Sequence, residues 1–351
     1  MAPDSATSTS PQPTLAVVMP THGSRRNAMR ALRALENLRP SPREVVVVID
    51  TPPDAEDVAL LPPGASVVEV PHRSGPARAR NAGVDRVSSD WVLFIDSDVV
   101  VPPDTIQRVV EIVAREPGLA ALFGAYDSNP GDPGFLSQYR NLLHQFVHLQ
   151  GRTEAETFWA GLGAVRVDFF RQVGGFDPRF LKPSIEDIEL GGRIRQHGGR
   201  IRLEKSLQAR HLKRWTWGSM MRTDLFDRGI PWVHLILSRR KSGTDLSLAW
   251  IPRLSTALAV VGVAALVLSP WRSWFGAISI ASLAMLVGLN FPFYRHLSGL
   301  RGIGFALRAI PCHILFYQIC GLALVLGVVR HGLQPGRNPG IPGPDRGMQR
   351  S

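Results

Sequence analysis

Three apolar stretches in the last third of the chain, Ile251 to Leu268, Trp274 to Tyr294 and Ala309 to Val329, constrain the fold more than any other feature. A bilayer core of about 30 Å is crossed by roughly 20 helical residues, and backbone placed there must satisfy its own polar groups. The region 251–330 is therefore expected to hold about three transmembrane helices. Trp271, Trp274 and Tyr294 stand at segment ends, where aromatic side chains favour the headgroup level. The basic loop from Arg295 to Arg308 and the run Arg239-Arg240-Lys241 both belong on the cytoplasmic side by the positive-inside rule. The arginines after Arg330 do not follow it, because three spans leave that tail outside.

The remaining sequence is long enough for one domain of about 200 to 250 residues. The net charge of +11 would suit nucleic acid, an anionic membrane or phosphate-bearing substrates. Basic residues crowd between Arg193 and Arg240 and recur at Arg295, Arg301 and Arg308, beside apolar stretches, which favours a membrane surface and excludes an aromatic-interleaved nucleic-acid patch. The two cysteines, Cys312 and Cys320, lie in an apolar segment and form neither a disulfide framework nor a zinc spacing. Residues 1–14, rich in Ser, Thr and Pro, read as a disordered leader without a secretory signal, and 331–351 as a disordered tail.

Between these ends, strand and helix alternate. Leu15 to Pro20 is a short apolar strand, Arg25 to Leu38 suits a helix, and Glu44 to Ile49 contains four valines without polar alternation, as in a strand buried on both faces. Ser66 to Val70 is a further strand, Pro76 to Val87 a helix, and Trp91 to Ile95 another buried strand. This order implies an α/β sandwich with ligand groups at the carboxyl ends of its strands. After Gln150 come Gly-rich turns, then a helical stretch from Ile185 to His197.

The strand Trp91 to Ile95 finishes in Asp96-Ser97-Asp98. Two carboxylates one residue apart repel each other at the end of a buried strand. A hard divalent cation offsets this repulsion and can also neutralise a departing diphosphate. A solvated turn is the alternative.

With these residues in view, the chain resembles a family-two inverting glycosyltransferase of the GT-A fold over about Leu15 to Thr216. The resemblance rests on Val18-Met19-Pro20-Thr21, Glu44 to Asp50, Ala79-Arg80-Asn81-Ala82-Gly83, Phe94-Ile95-Asp96-Ser97-Asp98 and Glu186-Asp187. It implies a Rossmann-like mixed sheet in an α/β/α catalytic domain, 15–240, followed by the helical membrane region. It further implies transfer of a sugar from a nucleoside-diphosphate sugar, UDP-type favoured, assisted by Mg²⁺ or Mn²⁺. Matched position by position, Pro20, Thr21, Gly23 and Asp50 border the nucleobase, and Arg80 holds the nucleotide. Asp96 touches ribose or metal, and Asp98 ligates the metal. Asp187 is the general base, with Glu186 beside the acceptor.

Where many relatives pair two aspartates, this chain has Ile49-Asp50. Asp50 also suits an Asx turn before Pro52-Pro53, and Glu186-Asp187 suits a simple helix N-terminus. Trp159 to Ala164, with Gly163, resembles the loop beside the donor sugar. His211-Leu212-Lys213-Arg214-Trp215 resembles the Q-x-x-R-W signature of processive synthases, with histidine replacing glutamine. His211 is then a metal-ligand candidate, Arg214 a diphosphate contact and Trp215 a surface for the acceptor sugar. The apolar and basic series from Trp215 to Arg240 suits helices lying on a membrane.

These readings converge on a multi-pass cell-membrane enzyme with a cytoplasmic catalytic domain, acting on a lipid-linked or glycan hydroxyl in cell-envelope or exopolysaccharide synthesis. A polyprenyl-phosphate glycosyltransferase and a catalytically silent scaffold of the same fold are the rivals. Three spans without a buried charge pathway argue against a transporter.

Overall fold

The protein is represented by a computed structural model in which residues 12–21, 25–50, 61–72, 74–238 and 250–333 are described. Strands β1 (Leu15–Thr21), β2 (Glu44–Ile49), β3 (Ser66–Glu69) and β4 (Trp91–Ile95) build a parallel half-sheet in the order β3-β2-β1-β4. Helices α1 (Arg25–Glu36) and α2 (Gly75–Val84) make the crossovers. Successive valines Val46, Val47 and Val48, which point to opposite faces of the sheet, are all buried in the core, which accounts for the lack of polar alternation.

The second half is mixed. It contains β5 (Val99–Val100), β6 (Leu119–Tyr126), β7 (Glu154–Ala155), β8 (Leu162–Arg166) and the long β9 (Arg200–His211). The sheet continues from β4 through antiparallel β8 to β6, then to β9 in parallel, with β5 and β7 on β9. Helices α3 (Thr105–Arg115), α4 (Phe135–Gln150), α5 (Val167–Gln172) and α6 (Glu186–Gln196) complete the domain. The core is continuous, and Phe94, Phe170 and Phe176 meet at tilted or edge-on angles within 5.3–5.9 Å.

Beyond β9 the chain forms α7 (Trp217–Arg222), a π-helical turn (Thr223–Gly229) and α8 (Ile230–Ser238). Met220, Ile230 and Leu235 are buried, whereas Trp217, Met221 and Phe226 are exposed. This segment therefore has one packed face and one open face. Its basic end, 239–240, lies outside the described residues, as do most of the leader and tail.

The apolar region forms α9 (Trp250–Leu268), α10 (Trp274–Leu289), α11 (Phe291–Arg301) and α12 (Ile303–Leu333). Two of these helices, α9 and α12, are long and apolar enough to cross a membrane, or up to three spans if the bent pair α10–α11 counts as one. Two expectations need correction here. The stretch Trp274 to Tyr294 is not one straight helix, because the chain bends by 62° where Asn290 ends α10 and Pro292 starts α11. Tyr294 is buried, its hydroxyl 3.1 Å from His313 Nδ1, so its ring packs against another helix instead of facing outward as a headgroup anchor does.

The basic stretch Arg295–Arg308 is also no loop. It is α11, the left-handed Gly302 (φ +82°) and the first turns of α12. Arg301 holds this corner to the catalytic domain, donating from Nε and Nη2 to Gln138 Oε1 at 3.0 and 2.9 Å and from Nη2 to Ser128 O at 2.6 Å.

Candidate active site

The carboxyl ends of β1, β2 and β4 lie along one edge of the sheet, because all three strands are parallel. At this edge Thr21 Oγ1 donates to Val48 O at 3.0 Å, fixing Pro20-Thr21 beside the end of β2. Asp50 follows β2, and its carbonyl meets His72 Nδ1 at 3.2 Å. Gly23 lies outside the described residues.

Arg80 joins the two acidic motifs. It is 4 % exposed on α2, and its guanidinium donates from Nη2 to Asp96 Oδ1 at 2.7 Å and from Nη1 to Glu186 Oε1 at 3.0 Å. Both carboxylates hold the Arg80 proton more firmly, against the opposing effect of burial. One residue further, Asn81 clasps the segment before α6, donating to Phe176 O at 2.8 Å and accepting from Phe176 N at 2.9 Å. The motif expected to hold nucleotide thus faces inward and ties the end of β4 to the start of α6.

Glu186, expected beside the acceptor, is buried, and its second oxygen accepts from Ser184 N at 2.8 Å. Asp187 points elsewhere. Its Oδ2 accepts from Ala160 N at 3.3 Å, in the turn 159–161. Burial foremost, then the charge of Glu186, pushes its pKa up to about 6, while Arg228 and Arg80 pull the other way. Gly163 is not in that turn. It pairs with Phe94 inside the sheet, and a Cβ there would meet Trp159 O at 2.3 Å and the Phe158 ring at 2.5 Å. Its lack of a side chain serves packing, and no ligand can approach it from that side.

Asp98 forms the second centre. The pairing of β5 with β9 sets Val99 opposite His211, and Leu212 N donates to Asp98 O at 2.8 Å. Asp98 Oδ2 and His211 Nε2 stand 3.3 Å apart. The His211 ring stacks on Tyr126 (centroids 4.3 Å, 7° between planes), and its Nδ1 donates to Asn141 Oδ1 at 2.6 Å. Nε2 consequently presents a lone pair to a carboxylate oxygen. Two acceptors this close need a cation or proton between them.

Carboxylate oxygen and imidazole nitrogen together suit Mn²⁺ or Mg²⁺. No group of three His, Cys, Asp or Glu side chains gathers around a point among the described residues. A metal held here would take Asp98 and His211 from this chain. Asp96, the other expected contributor to this shell, accepts from Arg80 through Oδ1 and keeps a third of its side chain exposed. Desolvation raises the Asp98 pKa, but with a proton between Asp98 and His211 their attraction and hydrogen bond, with Lys213 behind, outweigh it, and the net shift is downward.

Lys213 and Arg214 point to different places, as neighbours in extended chain do. Half-buried Lys213 sets its ammonium 4.2 Å from the Trp215 ring centre and within electrostatic reach of Asp98 and Asp96. Arg214 is exposed and lines a groove with Trp215 and Arg308. Four residues near the centre escaped sequence reasoning: Lys213, Tyr126, Asn141 and Arg228. Lys213 was legible in principle from that alternation. The other three lie on elements without a motif, Arg228 on the π-helical turn, a geometry frequent at functional sites.

Residues 16–174 match the glycosyl transferase family 2 model, and residues 140–218 match the model described as the N-terminal domain of galactosyltransferase. The mixed sheet, the strand-end carboxylates and these matches define the class: residues 16–174 carry a glycosyl transferase family 2 domain, which supports a family-2 glycosyltransferase of the GT-A fold.

Similarity extends to the pre-mycofactocin glycosyltransferase of Mycobacterium tuberculosis, 28% identical over 200 residues, covering 54% of this chain and 40% of the relative. The succinoglycan biosynthesis protein ExoO of Rhizobium meliloti is 32% identical over 102 residues, 28% of this chain and 29% of its own. The chain thus spans less than half the length of either relative. Among solved structures, the mannosyltransferase PcManGT of Pyrobaculum calidifontis, in complex with GDP-Man and Mn²⁺, superposes with a TM-score of 0.48 at 18% identity, covering 93% of this chain and 88% of its own.

Proposed function

We propose that this glycosyltransferase is a membrane-bound, metal-dependent inverting enzyme. It moves a sugar from a nucleoside diphosphate, UDP-type favoured, to a hydroxyl of a lipid-linked or glycan acceptor on the cytosolic face, in cell-envelope or exopolysaccharide synthesis. The observation that carries this reading is the Arg80 bridge between Asp96 and Glu186, which holds the end of the donor-side strand and the helix bearing Asp187 as one unit.

In this reading Pro20, Thr21 and Asp50 border the base, and Asp98 with His211 would hold Mg²⁺ or Mn²⁺. That ion, when bound, neutralises charge developing on the leaving diphosphate. Lys213 and Arg228 add positive potential on the same side. Asp187 takes the proton of the acceptor hydroxyl, and a pKa of about 6 leaves it ionised yet basic near neutrality. Trp215 offers its ring to the acceptor. Asp96, Arg80 and Glu186 position these groups from within. The packing of basic α11 on the catalytic domain agrees with a cytosolic site under the positive-inside rule.

The names of the two relatives point to unlike acceptors, and the ExoO name supports polysaccharide synthesis. The deciding experiment incubates the purified full chain with a panel of nucleotide sugars and Mn²⁺, with Asp98→Ala alongside. Donor turnover lost in the variant is expected; equal turnover in both removes the metal-dependent reading.

A further inference from the structure

Where the catalytic domain meets α12, a groove of about 850 Å³ opens, within the range of small-ligand sites. Phe135, Pro311 and Leu315 give it apolar walls, and Arg214, Arg308 and Trp215 line it as well. Neither arginine has a carboxylate partner within 4 Å among the described residues; Arg308 lies over the Phe135 ring at 4.4 Å. The acid in the groove, Asp132, already accepts from Gly134 N at 3.0 Å. An apolar trough with two uncompensated guanidinium groups suits an anionic amphiphile: a phosphate for the arginines, a hydrocarbon tail for the walls.

Position narrows the ligand further. Helix α12 has 31 residues, about 46 Å at 1.5 Å per residue, against a hydrocarbon core of about 30 Å. The charge on Arg308 favours leaving the first turns outside the core, which puts Arg308, Pro311 and Leu315 near the point of entry. Trp217, 47% exposed, stands at the same mouth, as aromatic side chains do at the headgroup level. Arg214 follows His211 by three residues, at most about 10 Å of extended chain. A lipid phosphate on Arg214 would therefore lie close to the Asp98–His211 pair.

We propose that this groove binds the phosphate and proximal tail of a long-chain isoprenyl-type lipid phosphate that carries the acceptor. The inference rests on the transferase reading above and deepens it. Arg214 and Arg308 grip the phosphate, the apolar walls take the first tail carbons, and the sugar attached to the phosphate reaches Asp187 with its hydroxyl. Arg214 so becomes an acceptor-side residue and not a diphosphate contact.

The test uses the full chain in neutral detergent, with tryptophan fluorescence and native mass spectrometry reporting binding of farnesyl phosphate, farnesol, inorganic phosphate and phosphatidylglycerol. Farnesyl phosphate should bind at least tenfold more tightly than farnesol, and neither inorganic phosphate nor an equal mole fraction of phosphatidylglycerol should displace it. Arg214→Gln combined with Arg308→Gln should erase the preference for the phosphate, and Arg308→Lys should retain part of it. Equal affinity for farnesyl phosphate and farnesol, displacement by phosphatidylglycerol, or an undiminished preference in the double variant overturns the proposal.

Should the double variant fail to fold, a benzophenone-bearing farnesyl phosphate on the wild type decides. Labelling of peptides containing Phe135 or Leu315 supports the groove, and labelling only elsewhere refutes it. Sugar transfer is scored separately. No preference for farnesyl phosphate in the wild type, with transfer to a glycan intact, sinks the groove alone; absent transfer with farnesyl phosphate still bound by the wild type sinks the transferase reading and keeps the site.

Discussion

The guanidinium of Arg80 meets the carboxylate of Asp96 at 2.7 Å, and its other arm reaches Glu186, 106 residues further along the chain, at 3.0 Å. Arg80 and Glu186 are both almost fully buried, so the pair lies where removing one partner leaves an uncompensated charge. Arg80→Ala should therefore destabilise the catalytic domain by about 3–5 kcal/mol, read by denaturant or thermal unfolding. The double variant with Glu186→Gln should lose less than the two single variants summed, because the orphaned carboxylate is gone. Strictly additive losses would separate the two residues.

Asp187 has a different signature. Its folded pKa of about 6 lies above the ordinary carboxylate value, so between about pH 4 and 6 the native state holds a proton that the unfolded chain has released. Native stability contributed by this group is present below that window and is lost as pH rises through it. Asp187→Asn should raise the unfolding midpoint at pH 7.5 while lowering kcat by about 10²–10⁴. The acid limb of the wild-type kcat/KM–pH profile should bend near 6 and vanish from the residual activity of the variant. An unchanged limb would assign the titration to another group.

Much of this architecture is legible in the chain. The apolar runs of β1, β2 and β4 announce buried parallel strands, and the five motifs announce the family, because each is a local pattern. What stays hidden is non-local. The inward turn of Arg80 depends on Glu186, over a hundred residues away, and Gly163 lies within β8 because Phe158 and Trp159 fill the space above it. The bend at Asn290 escapes hydropathy for a similar reason. Its side chain bonds Ser255 Oγ and Tyr317 OH at 2.9 Å each, contacts between helices that a window along one segment cannot contain.

His211 is oriented by groups that it does not share a motif with. Asn141 fixes its Nδ1 as the protonated nitrogen, and Tyr126 holds the ring flat. Partners of this kind typically change metal affinity by about 10–100-fold when removed. Asn141→Leu should weaken Mn²⁺ binding in the presence of UDP by that factor, measured by electron paramagnetic resonance, with His211→Ala weaker still. Unaltered affinity in Asn141→Leu would leave Asn141 a packing residue.

Two helical glycines should respond to alanine in opposite ways. Gly191 sits inside α6, and an added Cβ would meet the backbone of Phe158 and Thr157 at 2.4–3.0 Å, the segment leading to the turn that holds Asp187. Alanine improves helix propensity by up to about 1 kcal/mol, but backbone cannot yield as a flexible side chain can, and overpacking costs about 1–3 kcal/mol. Gly218, near the start of α7, has nothing within 4 Å of the same position. Gly191→Ala should therefore lower the unfolding midpoint and also slow transfer, because it presses on the segment before Ala160. Gly218→Ala should raise the midpoint or leave it unchanged, with transfer unaffected. Thermal unfolding and turnover of the two variants, measured side by side, decide whether close packing at α6 or helix propensity governs.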